Sequence, residues 1–261
     1  RWMEYTFARS FQPKGSKNPL MKHAKRHPLI FGTIILTATG LITRVIGFFY
    51  RIYLSRLFGE EGMGIYQLLS PALSLSFSLT AAGYQTAISK YVAADSAKRP
   101  SGNLKPLLAG ISITLPLSLV TNAILFFSAD PIGIFLLKDH RTVPMLRILS
   151  FSVPFAALHA CINGYFYGKK KASVPALTQL LEQLARVSCV FLVTGADLAE
   201  GRTPSINAAV LGLTVGEIFS MLIALVCLYI HLYPDSSILS LQNICPSVPV
   251  YRDLLGMALP L

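Results

Sequence analysis

Charge is what this sequence lacks most. Asp, Glu, Lys and Arg make up 13% of its 261 residues, where ordinary soluble domains carry about a quarter. With 53% hydrophobic residues and a mean hydropathy of +0.55, that shortage places the chain in a bilayer. Cysteine is scarce too: there are four, without a CxxC or a Cys/His metal spacing. Neither a disulfide framework nor a zinc site is implied. There is no phosphate-binding glycine loop, no Gly-x-Ser-x-Gly, no His-Glu-x-x-His, no paired carboxylates in a soluble loop, and no loop long enough for a catalytic domain. Nothing points to an enzyme, a cofactor or a metal. The alternation of a membrane barrel is also missing, so the spans should be helices.

What is present is six apolar segments long enough to cross: 29–50, 63–89, 107–128, 148–168, 172–196 and 205–230. The second, third and fourth hold no Asp, Glu, Lys or Arg. The run 132–137 is too short to cross and is expected at the interface. Acidic residues number 12 against 23 basic ones, a net charge of +11. In a soluble protein this would suggest nucleic acid, but here the distribution argues otherwise. With the N-terminus cytoplasmic, the inner segments carry seven Lys/Arg in 1–28, four in 90–105, and Lys169, Lys170, Lys171 and Arg252. The outer segments carry Arg51, Arg56, Lys138, Arg141 and Arg202. That asymmetry is the positive-inside pattern and predicts N-in topology with alternating spans. The organisation expected is a basic cytoplasmic tail (1–28) that contacts anionic lipids and not nucleic acid, a six-helix unit (29–232), and a loop leading into a seventh apolar run (233–261). That run stops early, as if the chain were truncated inside a helix. Met21 would be a natural start, which makes 1–20 a possible upstream extension.

Arg44 lies well inside the first span, and Arg51 follows two turns later on the same face. An arginine near mid-bilayer costs roughly 2.5–3.5 kcal/mol on insertion scales, so its side chain must face protein or a wet cavity. Thr33, Thr37, Gly40, Arg44, Gly47 and Arg51 keep to one face of a 3.6-residue helix, while Ile34, Leu41, Ile42, Val45, Phe48 and Phe49 lie on others. Two readings stand: Arg44 pairs with a carboxylate elsewhere in the bundle, or it faces an anionic substrate. In the second span Gln67, Ser70, Ser74, Ser78, Gln85 and Ser89 form a polar stripe suited either to helix packing or to lining a cavity. Pro71, Pro116 and Pro154 should kink the second, third and fourth spans.

The fifth span carries Gln179, Glu182, Gln183 and Arg186; Glu182 and Arg186 are four apart with the acid first, the favourable order for a pair. Glu217 falls near the middle of the sixth. These three charges form either an ion-coupling site or a structural network in which Arg186 bridges both acids. His159 could bond Asn163 one turn on, a structural role. The loop at 57–67 is rich in glycine and acid, as a tight reversal requires.

The strings Thr43-Arg44-Val45-Ile46-Gly47-Phe48-Phe49-Tyr50-Arg51, Leu57-Phe58-Gly59 and Gly62-Met63-Gly64-Ile65-Tyr66-Gln67 resemble the opening of the multidrug/oligosaccharidyl-lipid/polysaccharide exporter (MOP) superfamily. Ala87-Ile88-Ser89-Lys90-Tyr91-Val92-Ala93 and Gly164-Tyr165-Phe166-Tyr167-Gly168 fit as well. Within it the chain is most similar to the stage V sporulation protein B group of polysaccharide-biosynthesis proteins, a group similar to the lipid II flippases. The resemblance implies an all-α polytopic membrane protein with two six-helix lobes rocking about a central cavity. This chain would be the first lobe plus the start of a seventh helix, and its partner would be the second lobe of the same protein. It also implies that first-helix arginines meet the diphosphate of an undecaprenyl-linked saccharide. Arg44 matches that motif position; Arg51 stands one residue further along than its counterpart.

The reading is therefore a flippase for lipid-linked, diphosphate-bearing saccharides in the bacterial cytoplasmic membrane, with Arg44, Arg51, Gln67, Ser74 and Gln85 as substrate-binding residues. The rivals are an ion-coupled drug or metabolite antiporter using Glu182 or Glu217, a non-transporting cell-wall or sporulation scaffold, and a glycan polymerase. The last would need a larger outer loop.

Overall fold

The computed structural model describes residues 28–98, 104–233 and 248–258, and every regular element among them is helical. The basic tail, Cys245 and most of the loop before the last helix lie outside the described residues. In chain order the elements are α1 (Pro28–Leu68), α2 (Ser70–Phe77), a π-turn (Ser78–Ala82), α3 (Gly83–Lys98), α4 (Lys105–Phe127), a second π-turn (Ile132–Leu136), α5 (Thr142–Ser150), α6 (Ser152–Gly168), α7 (Ser173–Ala199), α8 (Asn207–Leu232) and α9 (Val248–Ala258).

Five runs of helix are long and apolar enough to cross a membrane, the first of them Gly32–Asp95, with 64 residues. At 1.5 Å per residue that run would measure about 96 Å if straight, some three times the hydrocarbon thickness. It is not straight. Gly59 adopts φ 70°, ψ −176° in the middle of α1, a conformation that favours glycine. Tyr50 and Leu54 before it pack with Met63 and Tyr66 after it. The chain thus doubles back at one residue, and the run holds two of the six expected spans. The loop expected at 57–67 is helical on both sides of Gly59, so the reversal is tighter than its composition implied.

Prolines mark starts more often than kinks. Pro71 and Pro106 stand in the first turns of α2 and α4, where the missing N–H has no intrahelical partner to lose. Pro154 is the third residue of α6. Pro116 lies in the interior of α4, as expected of a kinking proline.

Connections alternate between two ends. At one, Arg141 Nη2 donates to Glu61 Oε1 at 2.6 Å, and Ile206 packs against Met63 beside Gly62. At the other, Lys171 Nζ lies 3.0 Å from His231 Nδ1, and Gly32 approaches Ala172. Up-and-down spans require this arrangement. The largest core joins α3, α4, α6 and α9, with Leu254 of α9 fully buried against it. Leu41, Phe48 and Phe49 of α1 are exposed, as are Leu192, Val226 and Tyr229, which suits faces that meet lipid. The short run at 132–137 forms the second π-turn, with Phe135 and Leu136 exposed.

α7 and α8 make the most extensive helix–helix contact among the described residues. A Cβ on Gly212 would meet Val190 Cγ2 at 2.4 Å and the Arg186 carbonyl at 3.0 Å; one on Gly216 would meet the Glu182 carbonyl at 3.1 Å. Two glycines four apart let these backbones touch, as small residues do between membrane helices. The contact carries the Glu182–Arg186 face of α7 against the Glu217 face of α8.

Candidate functional site

α1 leans on α7, and between them lies an open cavity of about 370 Å³. Its polar lining comes from Arg44, Arg51 and Tyr50 before the Gly59 reversal, Tyr66 after it, and Gln183 and Arg186 of α7. An adjoining cavity of about 360 Å³ shares Arg51 and Tyr66 and adds Gln67 and Ser70. Three arginines line the first cavity and no Asp or Glu does. Among the described residues neither Arg44 nor Arg51 has an acidic partner within ion-pair distance. The pairing alternative for Arg44 therefore finds no carboxylate here. The hydroxyl of Tyr50, a residue only 7% exposed, has no hydrogen-bond partner, and neither has Arg186 Nε. Buried polar atoms are seldom left so, and both belong to cavity-lining residues.

Of the five residues expected to bind substrate, Arg44, Arg51 and Gln67 line these joined cavities. Ser74 is exposed on α2 and Gln85 is half-buried on α3; neither lines them. Gln85 instead presents its backbone to Gly164 of α6, where a Cβ would come within 2.6 Å of its carbonyl. Arg186, Gln183, Tyr50 and Tyr66 were not foreseen as cavity residues. The available signal was the spacing of Gln183 and Arg186, which puts them on one side of α7.

Behind Arg186 lies a second polar cluster. Arg186 Nη2 pairs with Glu182, the i,i+4 pair read from the sequence, and Nη1 donates to Gln183 Oε1 at 3.4 Å. Arg186 forms no ion pair with Glu217, so it does not bridge the two acids. Glu217 Oε2 sits instead 3.6 Å from His159 Nδ1 of α6 and has no hydrogen-bond partner. The Asn163 amide donates to His159 Nε2 at 2.8 Å, as one-turn spacing suggested. Ser220 Oγ lies 2.9 Å and Thr178 Oγ1 3.2 Å from the same nitrogen. An amide nitrogen only donates, so Nε2 is an acceptor and the ring proton sits on Nδ1, toward Glu217. His159, Glu182 and Glu217 each bring a potential ligand atom within 4.8 Å of the others.

Residues 29–250 match the polysaccharide biosynthesis protein family. The chain is 34% identical over 230 residues to stage V sporulation protein B of Bacillus subtilis (strain 168), covering 88% of this chain and 44% of that protein. It is 27% identical over 179 residues to the lipid II flippase MurJ of the same organism, covering 65% of this chain and 32% of MurJ. It thus spans less than half the length of either relative. In fold it is similar to an outward-facing multidrug resistance MATE family transporter of the MOP superfamily, with TM-score 0.66, 17% identity, and coverage of 89% of this chain and 50% of the other. The match over most of its length makes this chain a member of the polysaccharide biosynthesis protein family.

Proposed function

We propose that the chain forms the first lobe of a transporter that moves a lipid-linked, diphosphate-bearing saccharide across the bacterial cytoplasmic membrane. The observation that carries this reading is the cavity wall: three arginines, an unpartnered tyrosine hydroxyl and no carboxylate. Guanidinium forks match pairs of phosphate oxygens. One ion pair at about 4 Å is worth roughly 4 kcal/mol at an effective dielectric of 20. Several together offset much of the cost of drawing a doubly charged headgroup out of water, while a polyprenyl tail stays in lipid. The relatives named for lipid II flipping and for sporulation support the substrate class.

Orientation follows the charge asymmetry: the N-terminus and Lys169 to Lys171 face the cytoplasm, and Lys138 to Arg141 face outward. The basic tail contacts anionic lipid, and a second lobe supplies the opposite wall of the cavity. A cationic drug would find no acid on this wall, which weighs against the antiporter. Glu182 and Glu217 keep an ion-coupled cycle open as a second reading, because they sit in a membrane helix pair with one charge unbalanced.

The test is co-purification of lipids with the full-length protein, read by mass spectrometry. Polyprenyl-diphosphate saccharides should accompany the native protein and be depleted in Arg44→Ala at equal membrane abundance. Equal recovery from both would reject the cavity as the substrate site.

A further inference from the structure

Arg186 belongs to two sites at once. It lines the arginine cavity, and its Nη2 holds Glu182. Around Glu217 the charged and titratable groups are His159 from α6 and Glu182 and Arg186 from α7. α5, which also packs on α8, carries only Arg147, held by Asp130. Arg44, Arg51, Tyr50 and Tyr66 lie beyond Arg186, on the cavity side. With His159 neutral, two carboxylates and one guanidinium leave a negative charge inside the membrane unbalanced. One proton neutralises it. His159 Nε2 is blocked by the Asn163 donor, which leaves the carboxylates of Glu217 and Glu182 to take the proton.

We infer that an anion in the arginine cavity and a proton on the His159–Glu182–Glu217 cluster bind together, with Arg186 as the group they share. This rests on the cavity being an anion site. An anion that engages the Arg186 guanidinium from the cavity side draws it from Glu182. The two acids then lose their only counter-charge, and one of them takes a proton from water. The bond formed is O–H on Glu217 or Glu182, and hydroxide is left in solution. Linkage is reciprocal, so lowering the pH tightens anion binding by the same factor that the anion favours protonation.

Inorganic pyrophosphate is the probe, titrated calorimetrically into purified full-length protein between pH 5.5 and 8.0 in sodium-free buffer. Pyrophosphate titrates in this range itself, so native protein is compared with Glu217→Gln, which cancels that contribution. Native affinity should rise on acidification more steeply than that of the variant, by up to about tenfold per pH unit for one linked proton. Glu217→Gln should bind at pH 8 more tightly than native protein, because a neutral amide stands for the protonated acid. Glu182→Gln, which frees Arg186 from a different position, should do the same and guards against loss of folding in the first variant. Equal slopes in all three proteins, with binding present, overturn the linkage and leave the anion site standing. No binding by folded native protein at any pH overturns both. Sodium that restores tight native binding at pH 8 overturns the assignment of the site to a proton.

Discussion

His159 Nδ1 and Glu217 Oε2 meet at 3.6 Å across the contact of α6 with α8. His159 is 8% exposed and its ring sits among Asn163, Thr178 and Ser220. His159→Ala would leave several buried polar groups without partners, at about 1–3 kcal/mol each. A drop in melting temperature in detergent is expected, partly recovered in His159→Gln. No change would mean that water replaces the ring without cost.

Arg44 separates binding from folding. Arg44→Ala should leave membrane abundance near normal and weaken diphosphate binding by about 10- to 100-fold, the range for one charge-assisted contact. Arg44→Lys should recover part of it, and Arg44→Glu none. Loss of abundance in Arg44→Ala would point to a structural partner instead.

Gly216 tests the α7–α8 contact. A Cβ there meets the Glu182 carbonyl at 3.1 Å and Arg186 Cβ at 3.3 Å, so Gly216→Val should cost about 1–3 kcal/mol through overpacking. Thermal unfolding measures it. Gly40, whose Cβ would meet nothing, is the control: Gly40→Ala should be neutral or mildly stabilising.

Arg141 ties Asp139 and Glu61 together in the open. Its side-chain hydrogen bond, reinforced by its backbone N–H, holds the Asp139 carboxyl below the usual range. The folded value is depressed, so the contribution is present above the ordinary aspartate pKa and is lost as pH falls through the lowered one. Arg141 is exposed and Asp139 half-buried, and salt screens the pair. Arg141→Ala should shift the melting temperature less than Gly216→Val, and high salt should erase the difference.

Topology is tested by single cysteines placed at 140 and 170 in a cysteine-free background. External reagent should label the first in intact cells and spare the second. The opposite pattern would invert the orientation proposed here.

Residue type and spacing determined a good deal of this protein. Long uncharged runs can only be membrane helices, because an unbonded backbone is too costly in lipid. Glu182 and Arg186 had to meet, since four residues make slightly more than one turn of helix. Arg44 had to face something polar. These are local consequences of helical geometry and solvent. What tertiary structure decided depends on how helices pack. Along the stripe from Gln67 to Gln85, Ser74 is exposed and Gln85 half-buried, and between them the helix passes through the π-turn Ser78–Ala82. One extra residue in a turn rotates the following face by about 100°, so Gln85 leaves the face that a single helical period would give it. Ser220 and His159, 61 residues apart, become neighbours only because α8 packs on α6 and α7, pressed to α7 at Gly212 and Gly216. The same packing left Glu217 to His159 and not to Arg186. Spacing along one helix is set by its own hydrogen bonds, whereas the facing of two helices is set by which small residues let their backbones close.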